Sequence, residues 1–275
     1  MTGKPDILDA VSALKAKGEP FAIATVVRTI SLTAAKAGAK ATILADGTFS
    51  SGWIGGGCAR AAVVRAAKAA IADGKPRLVS VAPADLLKDL GVEPGQARDG
   101  VEFAKNSCPS QGTMDVFIEP IVPKPELLIC GASPVAVALA DLGRQLGFQI
   151  CVSAAPEDMA HFAGLADTQR PSFDLVGLRE SERYIIVATQ GRGDEAALTA
   201  AVAAPSRFVA FVGSRKKAAA LRDALTRKGV AADVLAALRA PAGLDIAAVT
   251  PEEIALSILG DIIATRRQGQ RNANA

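Results

Sequence analysis

Gly55-Gly56-Gly57-Cys58 concentrates more chemistry in fewer residues than any other segment of the chain. Consecutive glycines leave backbone N–H groups open to an approaching anion. The Ala/Val-patterned run that follows, Cys58 to Asp73, reads as a helix, and its N-terminus adds partial positive charge that attracts anions and lowers a thiol pKa. Cys58 then reads in two ways: a partly ionised thiolate beside an anion site, or a small thiol buried under a tight turn. Upstream, Thr29 to Thr33 supplies hydroxyls, and Lys36 and Lys40 flank Gly38. These lysines either neutralise a phosphate held by the glycine loop or are ordinary solvated side chains. A second thiol, Cys108 in Ser107-Cys108-Pro109-Ser110, lies in Gly91 to Ser110, which reads as a long surface loop because it is rich in Gly and charge. It is either a ligand or transfer group or an incidental cysteine.

The second half carries three more turns with binding chemistry. Gly131-Ala132-Ser133 stands where dinucleotide folds place G-x-G-x-x-G/A, with Ser133 in place of the glycine that lets a pyrophosphate approach. Ser133 as N-cap and Pro134 as first helical residue explain the same turn without a ligand. The acidic residue expected about 20 positions on is replaced by Ser153, Ala154 and Ala155, which disfavours ordinary NAD recognition. Thr189-Gln190-Gly191 follows a later strand. Gly213-Ser214-Arg215 follows another and opens a helix, reading either as a phosphate site or as a capped, positively charged helix start. The lone His161 reads as structural.

These turns need elements to position them. Phe21 to Arg28, Ala39 to Leu44, Arg77 to Val81 and Met114 to Glu119 read as strands, Asp46-Gly47 as a hairpin turn and Ile7, Val11 and Leu14 as an amphipathic N-terminal helix. The prolines of Glu119 to Glu126 place a boundary near Lys124, giving domains 1–124 and 125–275. Beyond it, strands at Leu127 to Cys130, Phe148 to Ser153, Tyr184 to Ala188 and Phe208 to Val212 alternate with helices at Pro134 to Leu146, Glu195 to Ala203 and Lys216 to Lys228. That pattern predicts a mostly parallel, Rossmann-like sheet behind a mixed α/β N-terminal domain. A final helix from Pro251 to Arg267 opens with Thr250 as N-cap and Glu253 closing a capping box.

Composition narrows the function classes. With 31 basic and 28 acidic residues and only 4% aromatics, the chain lacks the basic patch and stacking platforms of a nucleic-acid binder. No apolar run is long enough for a transmembrane segment, and with no export signal in the first residues the expected compartment is cytoplasmic. Four widely spaced cysteines suit reduced thiols better than a disulfide framework, and no HExxH or paired CxxC signals a metal site.

In order, Ala24-Thr-Val-Val-Arg-Thr29, Ala37-Gly-Ala-Lys40, Asp46-Gly47 and Gly55 to Cys58, then Gly213-Ser-Arg-Lys-Lys217, Pro241-Ala-Gly-Leu-Asp-Ile246 and Thr250-Pro-Glu-Glu-Ile254 with Ser257, resemble the XdhC/CoxF family from about Phe21 to Arg267. The resemblance implies a maturation chaperone without turnover of its own. Such a protein binds molybdenum cofactor, in bacteria often as molybdopterin cytosine dinucleotide, assists its sulfuration, and delivers it to a molybdenum hydroxylase such as xanthine dehydrogenase or carbon monoxide dehydrogenase. It makes Gly55, Gly56, Gly57 and Cys58 the leading cofactor contacts, with Cys58 a soft neighbour for the metal. The implied partners are the client hydroxylase, a cysteine desulfurase or cofactor cytidylyltransferase, and a second copy in a homodimer. Where the family has G-A-G-H-V-G this chain has Gly131-Ala-Ser-Pro-Val-Ala136, and Ala59-Arg60 follows Cys58; both look like the CoxF-type branch. The alternatives are an FAD- or NAD(P)-binding oxidoreductase and a docking module with a decayed nucleotide site.

Overall fold

The computed structural model describes residues 6–31, 33–108, 111–178 and 181–272, excluding the side chains of Cys58 and of 268–272. The chain divides into two compact units, Met1–Pro123 and Lys124–Ala275.

The first unit runs α1 (Ile7–Lys17), β1 (Phe21–Ile30), β2 (Lys40–Leu44), β3 (Phe49–Gly52), α2 (Gly57–Asp73), β4 (Arg77–Ala82), α3 (Ala84–Asp89), β5 (Ala97–Arg98), β6 (Val101–Lys105) and β7 (Thr113–Ile121). Its seven strands form one sheet in the order β3-β2-β1-β7-β4-β6-β5, antiparallel except for the parallel pair β4–β6. The β2–β3 connection is the hairpin expected at Asp46-Gly47: Gly47 has φ +91°, and the Asp46 carboxylate accepts from the Thr48 backbone N–H at 2.7 Å. Ala62, Ala66, Ala67 and Ala70 of α2 pack on Ala22, Ala24 and Val26 of β1 and Val116 and Ile118 of β7. Small side chains on the helix let its backbone come close to the sheet.

The reading of Gly91 to Ser110 as a long loop is corrected by β5 and β6. Phe103 and Ala104 of β6 are buried, and Phe103 joins Leu87 of α3, Val92 and Ala82 in a small separate cluster. This strand is held by a parallel partner and a short helix distant in sequence, so its own composition hides it.

The second unit runs β8 (Glu126–Cys130), α4 (Pro134–Gln145), β9 (Gln149–Ser153), a 3₁₀ turn (Pro156–Phe162), β10 (Thr168–Arg170), β11 (Arg183–Val187), α5 (Asp194–Ala203), β12 (Phe208–Phe211), α6 (Arg215–Arg227), α7 (Ala232–Ala237) and α8 (Pro251–Asn272). The strands are all parallel, in the order β10-β9-β8-β11-β12, as the alternating pattern predicts. Both faces of the sheet are apolar. Leu127 and Ile129 pack with α4 and α8, while Leu128 and Cys130 pack with α5, α6 and α7. At the N-terminal edge, Arg183, with a side chain only 3% exposed, pairs with Glu126 at 2.6 Å. The start of α8 is the expected capping box: the Glu253 N–H donates to Thr250 Oγ1 at 3.3 Å and the Thr250 N–H to Glu253 Oε2 at 3.0 Å. Among the described residues no helix is long and apolar enough to cross a membrane.

Candidate functional site

In the first unit, the glycine turn delivers an unusually bare helix start. Gly55 takes φ +115°, which favours glycine. Gly56, the N-cap of α2, has φ −86° and ψ −171°, makes no side-chain capping bond, and is followed by no acidic residue in the first turn. A Cβ built on Gly56 or Gly57 would meet nothing within 4 Å among the described residues. Neither backbone angle nor packing demands glycine at these two positions. Their absent side chains leave the first helical N–H groups accessible at the positive end of the helix dipole.

This helix start forms one wall of a pocket of about 80 Å³, completed by Thr33, Ala34, Ala35, Ala59, Val81, Asn106, Cys108, Gly112 and Met114. Cys108, thirty-odd residues beyond α2, is thereby brought to Gly55 and Gly56 and is exposed. It is held through Asn106, whose Oδ1 accepts from the Cys108 backbone N–H at 2.9 Å while its Nδ2 donates to the Gly112 carbonyl at 2.6 Å. Sequence reasoning missed Asn106; the signal available was an Asn two residues before a thiol, which closes an Asx turn. The thiol of Cys58 and residues Pro109 and Ser110 lie outside the described structure, while the Cys58 backbone lies in the first turn of α2. Lys36 and Lys40 are exposed and do not line the pocket. The Lys40 ammonium instead donates to Thr25 Oγ1 at 2.9 Å.

In the second unit, the three predicted turns follow β8, β11 and β12, which are adjacent in the sheet. They lie at the carboxyl ends of parallel strands, where such sheets bind ligands. Here, however, protein fills the close approaches. A Cβ on Gly131 (φ +108°) would stand 2.7 Å from the Ala188 carbonyl oxygen and 2.7 Å from Thr189 Cα, so this glycine admits the neighbouring backbone. Ser133 Oγ accepts from the Ala136 N–H at 3.2 Å, and Ser214 Oγ accepts from the Lys217 N–H at 3.3 Å; both hydroxyls cap their own helices, while Arg215 is exposed. Ala132, beside them, is half-buried.

Thr189 and Gly191 close on Asp194, which ends the same turn, Thr189 to Asp194, but is not among the binding residues the sequence singles out. Its carboxylate accepts from the Thr189 hydroxyl, from the Gly191 N–H at 3.0 Å, and from the Lys217 ammonium of α6. Burial pushes the Asp194 pKa up, but the Lys217, Thr189 and Gly191 donors outweigh it and hold the carboxyl below the ordinary range. Cys130, just before Gly131, is buried and its thiol is pushed up to about 12, chiefly by desolvation and then by neighbouring Cys151. Burial, with Glu126 nearby, raises Cys151 to about 11. No group of three or more His, Cys, Asp or Glu able to hold a metal occurs among the described residues.

Residues 127–262, containing all three of these turns, match the XdhC Rossmann domain, and residues 14–82, containing the glycine start of α2, match the XdhC and CoxI family. The chain belongs to the XdhC family. Among curated relatives of this XdhC-family protein, uncharacterized protein YqeB of Escherichia coli K12 is 29% identical over 269 residues, 95% of this chain and 46% of the relative. A probable xanthine dehydrogenase subunit of Bacillus subtilis 168 is 29% identical over 163 residues, 57% of this chain and 47% of the relative. The chain thus spans about half the length of the curated relatives it matches. A solved Bacillus halodurans chain described as a xanthine dehydrogenase aligns with TM-score 0.46 and 20% identity, covering 95% of this chain and 96% of that one.

Proposed function

We propose that this protein is a molybdenum hydroxylase accessory factor that holds molybdenum cofactor at the start of α2 and passes it to its client. The observation that carries this reading is the bare glycine start. Gly56 and Gly57 expose helix N–H groups that no described side chain caps, on a pocket that also presents an exposed thiol, Cys108. The cargo joins an anionic phosphate to a sulfur-ligated metal. Helix N–H groups suit the first and a thiolate suits the second. Cys58, in the same helix turn, is the second candidate thiol. Family membership and the relative named as a xanthine dehydrogenase subunit favour this class of client, with carbon monoxide dehydrogenase an alternative one. Assistance in sulfuration, a cysteine desulfurase or cytidylyltransferase partner, a homodimer and a cytoplasmic setting belong to the same proposal. The cytosine dinucleotide form of the cargo, or FAD, would reach the second unit only beside turns whose hydroxyls and carboxylate already serve the protein.

Gly56→Asp separates folding from binding. Asp is a better N-cap than Gly by a few tenths of a kcal/mol, but it places a carboxylate where the anion must sit. Wild-type protein isolated from cells that make the cofactor should carry molybdenum and pterin, measured by metal analysis and by fluorescence of the oxidised pterin. Gly56→Asp should lose at least about tenfold of both, the cost of about 1.4 kcal/mol of binding, at an unchanged or higher Tm. Equal retention by the variant would refute the assignment.

A further inference from the structure

Helix α8 buries one apolar face in the second unit and leaves a second apolar face exposed. Ala255, Ile258, Leu259 and Ile262 are fully buried. Leu256 and Ile263, round the helix from them, are 56% and 37% exposed. Apolar side chains scattered singly over a surface are ordinary, but these two are aligned. Glu252, Leu256, Gly260, Ile263 and Arg267 succeed one another at spacings of three or four residues, and so fall within about 80° of one another around the helix axis. Leu244 widens this stripe. Its Cδ1 would stand 3.3 Å from a Cβ on Gly260, its backbone N–H donates to the Ser257 carbonyl at 3.2 Å, and it is itself 47% exposed. The patch therefore runs from α8 onto the loop before it.

The order of residues along the stripe selects its occupant. Glu252 and Arg267 lie equally far from the midpoint between Leu259 and Gly260, and so do Leu256 and Ile263. A second α8 laid antiparallel across that midpoint sets Leu256 against the partner's Ile263 and Glu252 against the partner's Arg267, each pair occurring twice. The face is thus its own complement, which is the condition a two-fold interface imposes. A parallel copy would set acid on acid and base on base. The wider charge pattern agrees: Glu252 and Glu253 stand in the first turn, and Arg266, Arg267 and Arg271 towards the other end. Antiparallel pairing also brings opposite ends of the two helix dipoles together.

We propose that two copies of this chain pair through α8, antiparallel about a two-fold axis between Leu259 and Gly260. Leu244, Leu256 and Ile263 form the apolar centre, and Glu252 and Arg267 the charged ends. This rests on the homodimer named above and gives it a surface, and it does not depend on what the α2 pocket holds. A single helix stripe is narrow beside the roughly 800 Å² per partner of a standard interface, so the association is a reversible equilibrium between monomer and dimer.

Sedimentation velocity on the full chain, from low micromolar to several hundred micromolar, should show a reversible shift from monomer to dimer. Leu256→Asp puts a carboxylate into the apolar centre twice and should raise the dissociation constant at least about tenfold. Its far-UV circular dichroism and its Tm in dilute solution should match wild type, because Leu256 is exposed in the monomer. Arg267→Glu sets acid on acid at both ends and should weaken the dimer severalfold. Adding Glu252→Arg to the same chain re-forms both pairs with their signs exchanged, and should recover most of that loss. A chain that stays monomeric at every concentration overturns this surface and the homodimer together. A dimer that Leu256→Asp leaves intact overturns the surface alone. A double variant no tighter than Arg267→Glu overturns the antiparallel register.

Discussion

The glycine turns at Gly55 to Gly57 and at Gly131 to Ser133 both lead into helices, yet their glycines serve opposite ends. At Gly131 the missing side chain is occupied by the Ala188–Thr189 backbone, 2.7 Å from where a Cβ would be, and the following helix is capped by Ser133. At Gly56 and Gly57 the missing side chains meet nothing among the described residues, and no described side chain caps the helix start. One turn uses glycine to pack the protein against itself. The other uses it to leave room for something else. A glycine-rich motif thus identifies a ligand site only when the space it creates is still vacant after the fold has formed.

The largest effect expected from this contrast is in thiol reactivity. Cys130, under the closed turn, has its pKa pushed from 9.0 to about 12, so at pH 8 its thiolate fraction is about a thousandfold below that of an ordinary thiol. Iodoacetamide labelling followed by peptide mass spectrometry should modify exposed Cys108 in minutes and leave Cys130 untouched until the chain unfolds. Comparable labelling rates in the native protein would mean that the second turn opens readily, and the contrast would collapse.

Next in size is Gly131→Ala. The new methyl must displace backbone and adopt φ +108°, which should cost about 1–3 kcal/mol, read as a lower urea midpoint at unchanged m value. A loss under a few tenths would show that the Ala188 segment yields freely.

Smallest, and of opposite sign, is Gly57→Ala. At the first position of α2, with no neighbour to meet among the described residues and no positive φ to hold, alanine should stabilise the protein by about 0.4–1 kcal/mol through the unfolded state, seen as a raised urea midpoint. Destabilisation as large as that of Gly131→Ala would make both turns packing turns and sharpen the case against a site at α2.

The second unit is the more legible half in the sequence. Leu127 to Cys130 and Tyr184 to Val187 are apolar on both faces, which only a covered parallel sheet satisfies, and Thr250 with Glu253 marks the start of α8 from local chemistry alone. In the first unit, Val101 to Lys105 is flanked by Gly and charge, and its burial depends on α3 and β4, so local pattern conceals it. The site divides similarly. Gly55 to Gly57 and Cys108 can each be singled out from residue type, but their meeting in one pocket depends on the loop that Asn106 closes. Asp194 looks like an ordinary first-turn acid, and only the packing of α5 beside α6 supplies Lys217. Lys36 and Lys40 illustrate the converse: proximity in sequence to a glycine turn did not bring their ammonium groups to its pocket.

The alanine face of α2 has a mechanical consequence. Ala62, Ala66, Ala67 and Ala70 are all buried against the sheet, and alanine has no side-chain torsion through which a seam can relax. The contact therefore behaves as a bearing without play. Apart from Val63 and Ile71, little side-chain freedom is left in the seam, which holds both ends of this 17-residue helix, about 25 Å apart, in register with the sheet. The position of the first helical N–H groups of α2 is therefore set by the sheet beneath the helix and not by side chains of the turn that precedes it.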